Sequence, residues 1–137
     1  MLILDTNVIS AIMSAESAII AWLDRQSRFS IWTTAITVFE VRFGLETMAA
    51  GRRRTQREAA FARMLAEKLE GRVLPLDERA AEETALVMAA RYRASRPRDL
   101  RDTMIAGIAQ AQRGTLATRN VQHFDDLDIP VVDPWHA

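Results

Sequence analysis

The sequence predicts a compact α/β sandwich built on a central, mostly parallel sheet. Three observations carry this. Five short apolar runs recur along the chain, stretches of helical apolar spacing lie between them, and polar or glycine-containing breaks separate the two. The runs are continuously apolar rather than alternating, as strands covered on both faces require.

The first strand is LIL at the amino end, and ESAIIAWLDRQS, residues 16–27, follows as a helix with Ile19, Ile20 and Leu23 on one face. FSIW at 29–32 reads as the second strand. Residues 37–49 carry Val38, Val41, Leu45 and Met48 at helical spacing, and residues 52–70 bring Phe61, Met64, Leu65 and Leu69 together. RVLPL at 72–76 is the third strand, after which Asp77 is placed to cap a helix over 77–94. A helix over 100–113 contains IAGIAQA, at 105–111, whose small residues let it lie close against the sheet. TLAT at 115–118 and PVV at 130–132 complete the strands, and Gly51, Gly71 and Gly114 fall between elements. No repeat, low-complexity tract or linker divides the chain, so residues 1–137 are expected to form one domain.

The composition is ordinary for a globular protein, with 49% hydrophobic and 26% charged residues. The absence of cysteine excludes a disulfide framework, a thiolate metal site and a cysteine nucleophile. No apolar run approaches a membrane span, and MLILDTNVIS lacks the basic region of a secretory leader. A cytoplasmic protein without membrane association is therefore expected. The formal net charge of +0 gives no overall basic signal for nucleic acid. The arginines nevertheless gather, at Arg52, Arg53, Arg54 and Arg57 and again at Arg91, Arg93, Arg96, Arg98 and Arg101. Each cluster can hold phosphates through forked hydrogen bonds or form solvated helix surface.

Three acids stand out by context. Asp5 follows the first strand and is joined by Thr6 and Asn7, residues that commonly open helices. It can equally project from the carboxyl end of a central strand, into the crevice where open α/β sheets bind ligands. Glu40 stands three residues after Thr37, the spacing of a capping box, and Asp102 stands three after Asp99. Singly, each acid reads as a cap. Together, Asp5, Glu40 and Asp102 all lie at strand–helix junctions or helix starts, which a parallel sheet gathers at one edge. Converging carboxylates repel unless a cation holds them, and hard oxygen ligands suit magnesium or manganese rather than zinc. Such a site can lower the pKa of bound water and stabilise charge on a phosphodiester during hydrolysis.

LDTNVI, the glutamate of TVFEVRFGLE, DTMIAGIA, and LATRNVQHF followed by VVDPW, in this order, resemble a PIN domain, most closely the FitB-like branch of the VapC toxins. The resemblance spans Asp5 to Trp135. It implies a PIN-like α/β/α sandwich and a Mg2+- or Mn2+-dependent endoribonuclease leaving a 5′-phosphate and a 3′-hydroxyl. It further implies the toxin of a type II toxin–antitoxin pair, usually a homodimer. A VapB-like antitoxin is expected to inhibit it, in a hetero-oligomer that binds DNA through the antitoxin. By position, Asp5, Glu40 and Asp102 match the family's catalytic and metal-binding acids, Thr6 a supporting hydroxyl, and Thr118 a polar border of the pocket. Arg119 is placed to reach a phosphate. The fourth acidic position departs from the pattern: relatives carry an acid where this chain has Asn120 or His123. Asn120 offers a neutral oxygen that can position a water, and His123 can ligate or shuttle a proton. Two other readings stay open from sequence: a catalytically weak PIN-like interaction module, and a carboxylate–magnesium phosphatase or phosphoacceptor domain. The second wants a lysine at a late strand end, and the only lysine, Lys68, falls in a helical stretch.

Overall fold

The computed structural model describes residues 1–137. Its strands are β1 (Leu2–Leu4), β2 (Ile31–Thr34), β3 (Val73–Leu74), β4 (Thr115–Ala117) and β5 (Val131–Val132). They form one sheet in the order β3-β2-β1-β4-β5, and every neighbouring pair is parallel. The helices are α1 (Thr6–Met13), α2 (Ser17–Asp24), α3 (Ala35–Thr47), α4 (Arg52–Arg63), α5 (Glu78–Arg93) and α6 (Leu100–Gln112). No single helix is long and apolar enough to cross a membrane.

Successive strand residues point to opposite faces, and this sorts the core into two layers. Leu4 and Ala117 join Val8, Ile9, Ile19, Leu23 and Phe61 on the side of α1, α2 and α4. Ile3 and Leu116 join Ala80, Val87, Ile105 and Ile108 on the side of α5 and α6. The helix α3 feeds both, with Ile36 in the second layer and Val41 and Leu45 in the first.

Several sequence-level boundaries move. The first helix is expected only from residue 16, although Asp5, Thr6 and Asn7 read as a helix start; α1, TNVISAIM, begins directly after β1, with only that short polar step between two apolar runs. The second strand begins at Ile31, because Arg28–Ser30 forms a 3-10 turn. α3 begins two residues earlier than its apolar spacing indicates, and its cap is Thr34, whose hydroxyl accepts from the Thr37 amide at 3.1 Å. Thr37 and Glu40 therefore do not form a capping box. The helix over 52–70 is α4 followed by a π turn over Met64–Lys68. Asp77 caps α5 as expected, accepting from the Ala80 amide at 2.9 Å. The small residues of IAGIAQA serve a neighbouring helix as well as the sheet. A Cβ on Gly107 would stand 2.7 Å from the backbone nitrogen of Thr84 in α5, so only glycine permits that approach.

Candidate active site

The strand order places a topological switch between β1 and β4. From β1 the chain winds outward through β2 to β3, then crosses by α5 and α6 to β4 on the other side of β1. Connections diverge there and open a crevice at the carboxyl ends of the strands, the usual ligand position in such sheets. Asp5 leaves β1 at this point and Thr118 leaves β4 beside it.

Asp5 is both the cap and the centre of the crevice. Its Oδ1 accepts from the Thr6 amide at 2.8 Å, opening α1, and its Oδ2 accepts from the Thr118 hydroxyl at 2.7 Å. Asn7 bridges the two walls: its Nδ2 donates to the Thr118 hydroxyl at 3.2 Å, and its Oδ1 accepts from the Arg119 amide at 3.1 Å. The Asp5 side chain is buried, and burial pushes its carboxyl up to about 6. Hydrogen bonds from Thr118 and the Thr6 amide oppose the rise, and the charges of Asp102 and Glu40 add to it.

Glu40 sits in the second turn of α3 and faces the same crevice. The Thr6 hydroxyl donates to its Oε1 at 2.8 Å and lies 3.1 Å from the Thr37 hydroxyl. Thr6 thus touches both acids, Asp5 through its amide and Glu40 through its hydroxyl. The Arg101 guanidinium stands 3.8 Å from Glu40 Oε2.

Asp102 lies in the first turn of α6, where Asp99 is the cap and accepts from the Arg101 amide at 2.8 Å. Asp102 instead meets His123, with Oδ2 3.3 Å from Nδ1. His123 belongs to a 3-10 segment, Val121–Phe124, that follows Asn120. Asn120 is exposed; its amide donates to the Thr118 hydroxyl at 3.1 Å, while its side chain caps nothing. Arg119 lies with its guanidinium 4.5 Å from the ring centre of Trp135, which in turn donates to Glu16 at 2.7 Å.

No three acidic or imidazole side chains are gathered tightly enough to cage a metal ion. Magnesium asks for less, because it keeps several waters and takes one or two carboxylates together with substrate phosphate. Asp5 fits that demand: its carboxylate is costly chiefly because it is buried, and further so beside Asp102 and Glu40, unless a cation compensates. Asp5, with Asp102 and Glu40 close enough to add to its charge cost, is the residue set that could hold such an ion.

The arginine clusters divide in the structure. Arg54 is taken by Glu58 at 2.7 Å and Glu46 at 3.0 Å. Arg91 is buried against Asp126, so it is no phosphate contact. Sequence reasoning passed over Asn7 as a bridge and Thr37 as a support. The DTN triplet was the available signal for Asn7.

A family model described as PIN domain matches residues 2–130. The chain belongs to the PIN domain family. It is 38% identical to the VapC ribonuclease Y4jK of Sinorhizobium fredii over 98% of both chains. It is 30% identical to Toxin FitB of Neisseria gonorrhoeae over 99% of both. The solved structure of FitAB bound to an IR36 DNA fragment superposes with a TM-score of 0.89 at 30% identity, covering 100% of this chain and 97% of that one. The all-parallel sheet between helical layers is the fold of these PIN-domain toxins.

Proposed function

We propose that this PIN domain is a divalent-metal-dependent endoribonuclease and the toxin of a type II toxin–antitoxin pair. The observation that carries the reading is Asp5, a buried carboxyl at the topological switch, held from both sides and faced by Asp102 and Glu40. The names of the similar VapC ribonuclease and FitB toxin support it. Asp5 and Asp102 would hold Mg2+ or Mn2+, with Glu40 beside them. When bound, the cation supplies a more acidic water and a counter-charge for the phosphodiester. Thr118 and Asn7 orient Asp5, and Thr6 occupies Glu40 Oε1, so that Oε2, with the Arg101 guanidinium 3.8 Å away, would accept a hydrogen bond from the attacking water. Asn120 offers an uncharged oxygen for a second water. His123 lies across from Asp102, and Arg119, lying on Trp135, presents its outer edge to a phosphate. Lys68 lies before β3, at the sheet edge opposite Asp5, which disfavours the phosphoacceptor reading.

A homodimer is expected to bind a VapB-like antitoxin that sets a basic side chain against the acids. The similar FitAB structure, solved bound to an IR36 DNA fragment, supports a DNA-binding toxin–antitoxin assembly. The test is incubation of purified protein with single-stranded RNA, with and without magnesium. Cleavage should require the metal and vanish in Asp5→Asn. Cleavage that persists in Asp5→Asn, or none by the parent at any divalent concentration, would overturn the reading.

A further inference from the structure

The distance between Asp102 and His123 is not set by regular structure. One side chain stands on α6 and the other on a 3-10 segment beyond β4, 21 residues away. Phe124 is buried and holds that segment to the core, but apolar burial is non-directional and does not fix a register to an ångström. A directional link is needed, and a single buried group supplies one.

Resting on the nuclease reading above, we propose that Arg91 is a positioning residue whose guanidinium ties the turn bearing Asp102 to the segment bearing His123 and sets their approach. Arg91 lies in the last turn of α5 and is 3% exposed. Its Nε donates to Asp126 Oδ2 at 2.7 Å, and its Nη2 donates to Asp126 Oδ1 at 2.9 Å and to the His123 carbonyl at 2.8 Å. Its Nη1 donates to the Thr103 hydroxyl at 3.1 Å. That hydroxyl donates to the Asp99 carbonyl at 3.0 Å, so the first turn of α6 is gripped at the residue next to Asp102. One head group thus holds Thr103, next to Asp102, and the backbone of His123 itself.

The surrounding contacts do not duplicate it. Arg96 to Asp125 at 3.5 Å and Arg98 to the Gln122 carbonyl at 3.4 Å lie at the limit of hydrogen bonding and on the surface. The Arg91–Asp126 fork is short and bidentate, with the guanidinium buried and the carboxylate part-exposed, and its hydrogen bond holds the Asp126 carboxyl below the usual carboxylate range. Lysine cannot reproduce it, because its donors radiate from one point and cannot span the Asp126 carboxylate, the His123 carbonyl and Thr103 together. Arg91 touches none of the three acids, so its effect reaches the site only through the geometry it imposes.

The test uses Arg91→Lys and Asp126→Asn, with Leu69→Ala in the opposite core layer as a destabilised control. Two quantities are read: steady-state cleavage of RNA, and the imidazole and Asp102–Thr103 amide resonances of the metal-free protein. Arg91→Lys is expected to lower kcat by about ten- to a hundredfold while KM changes little, the cost of misplacing a site by about 1 Å. It should also move the His123 ring and Asp102 amide signals. Asp126→Asn, which keeps one acceptor oxygen, should do the same to a smaller extent. Leu69→Ala should lower the melting temperature and leave kcat and these resonances in place. Destabilised Arg91→Lys or Asp126→Asn protein with parental kcat and parental resonances would overturn the proposal. If the parent cleaves no RNA, the nuclease reading fails, and the resonances still decide whether Arg91 sets the Asp102–His123 geometry.

Discussion

Replacing Asp5 by asparagine should stabilise the metal-free protein above pH 7 and give no gain at pH 4. The carboxyl is raised from 3.8 to about 6 in the folded chain, chiefly by burial. A folded group that keeps its proton to higher pH contributes stability that is fully present below 3.8 and lost as pH rises through 6. A rise of about two pH units corresponds to about 3 kcal/mol, most of it between pH 4 and 7. Asparagine mimics the protonated side chain but offers one acceptor oxygen to the Thr6 amide and the Thr118 hydroxyl, which forfeits about 1 kcal/mol. The variant should therefore be more stable than the parent by about 2 kcal/mol at pH 7.5. The difference should vanish or reverse slightly at pH 4. Urea unfolding of both proteins across this range, followed by tryptophan fluorescence, gives the double difference, in which the carboxyls not coupled to Asp5 cancel. Magnesium at pH 7.5 should stabilise the parent more than the variant, since a ligand stabilises only the state that binds it. A stability difference that does not change with pH would refute the reasoning, because Asp5 would then titrate alike in folded and unfolded chains.

Three further outcomes are expected. Asp102→Asn should abolish magnesium-dependent RNA cleavage while the metal-free protein melts at the same temperature or slightly higher; an early-melting variant that still cleaves RNA would make Asp102 a structural acid of the first turn of α6. Asn120→Asp adds a charge at an exposed position beside Thr118 and should tighten magnesium binding severalfold by calorimetry. Gly107→Ala forces a methyl against the Thr84 backbone and should cost about 1–3 kcal/mol by thermal melting; an unchanged melting temperature would show that α5 and α6 can separate freely.

Much of the layered fold was legible because five apolar runs and five amphipathic stretches follow one another in order. The strand order was not, since runs of two to four residues carry no pairing information. α1 was hidden by the apolar continuity of LIL and VISAIM across a three-residue polar step. At the site, Asp5, Glu40 and Asp102 were legible as a set, whereas Thr37 and Asn7 act through contacts that exist only after folding. Arg91 was misplaced among surface arginines because α5 is rich in charge. Its signal was present, for Ala80, Thr84, Val87 and Arg91 recur at the spacing of one helix face, and all four are buried.

The same spacing logic explains why cap and site were inseparable in the sequence. A helix start needs an acceptor for its free amides, and its positive end favours an acid. In a parallel sheet the helices that follow strands all begin at the carboxyl edge, so α1 and α3 open where β1 and β2 end, and α6 brings its start to α3 through Arg101 and Glu40. Asp5 occupies the cap of α1 and Asp102 the first turn of α6, so each gains locally from a helix end. Glu40 lies beyond the first turn of α3 and gains little from its dipole; the Thr6 hydroxyl and the Arg101 guanidinium hold it instead. Local stabilisation of each acid is thus what lets three carboxylates share one crevice before any cation arrives. It is also why removing Asp102 should leave the metal-free fold intact, while removing the repulsion it exerts on Asp5.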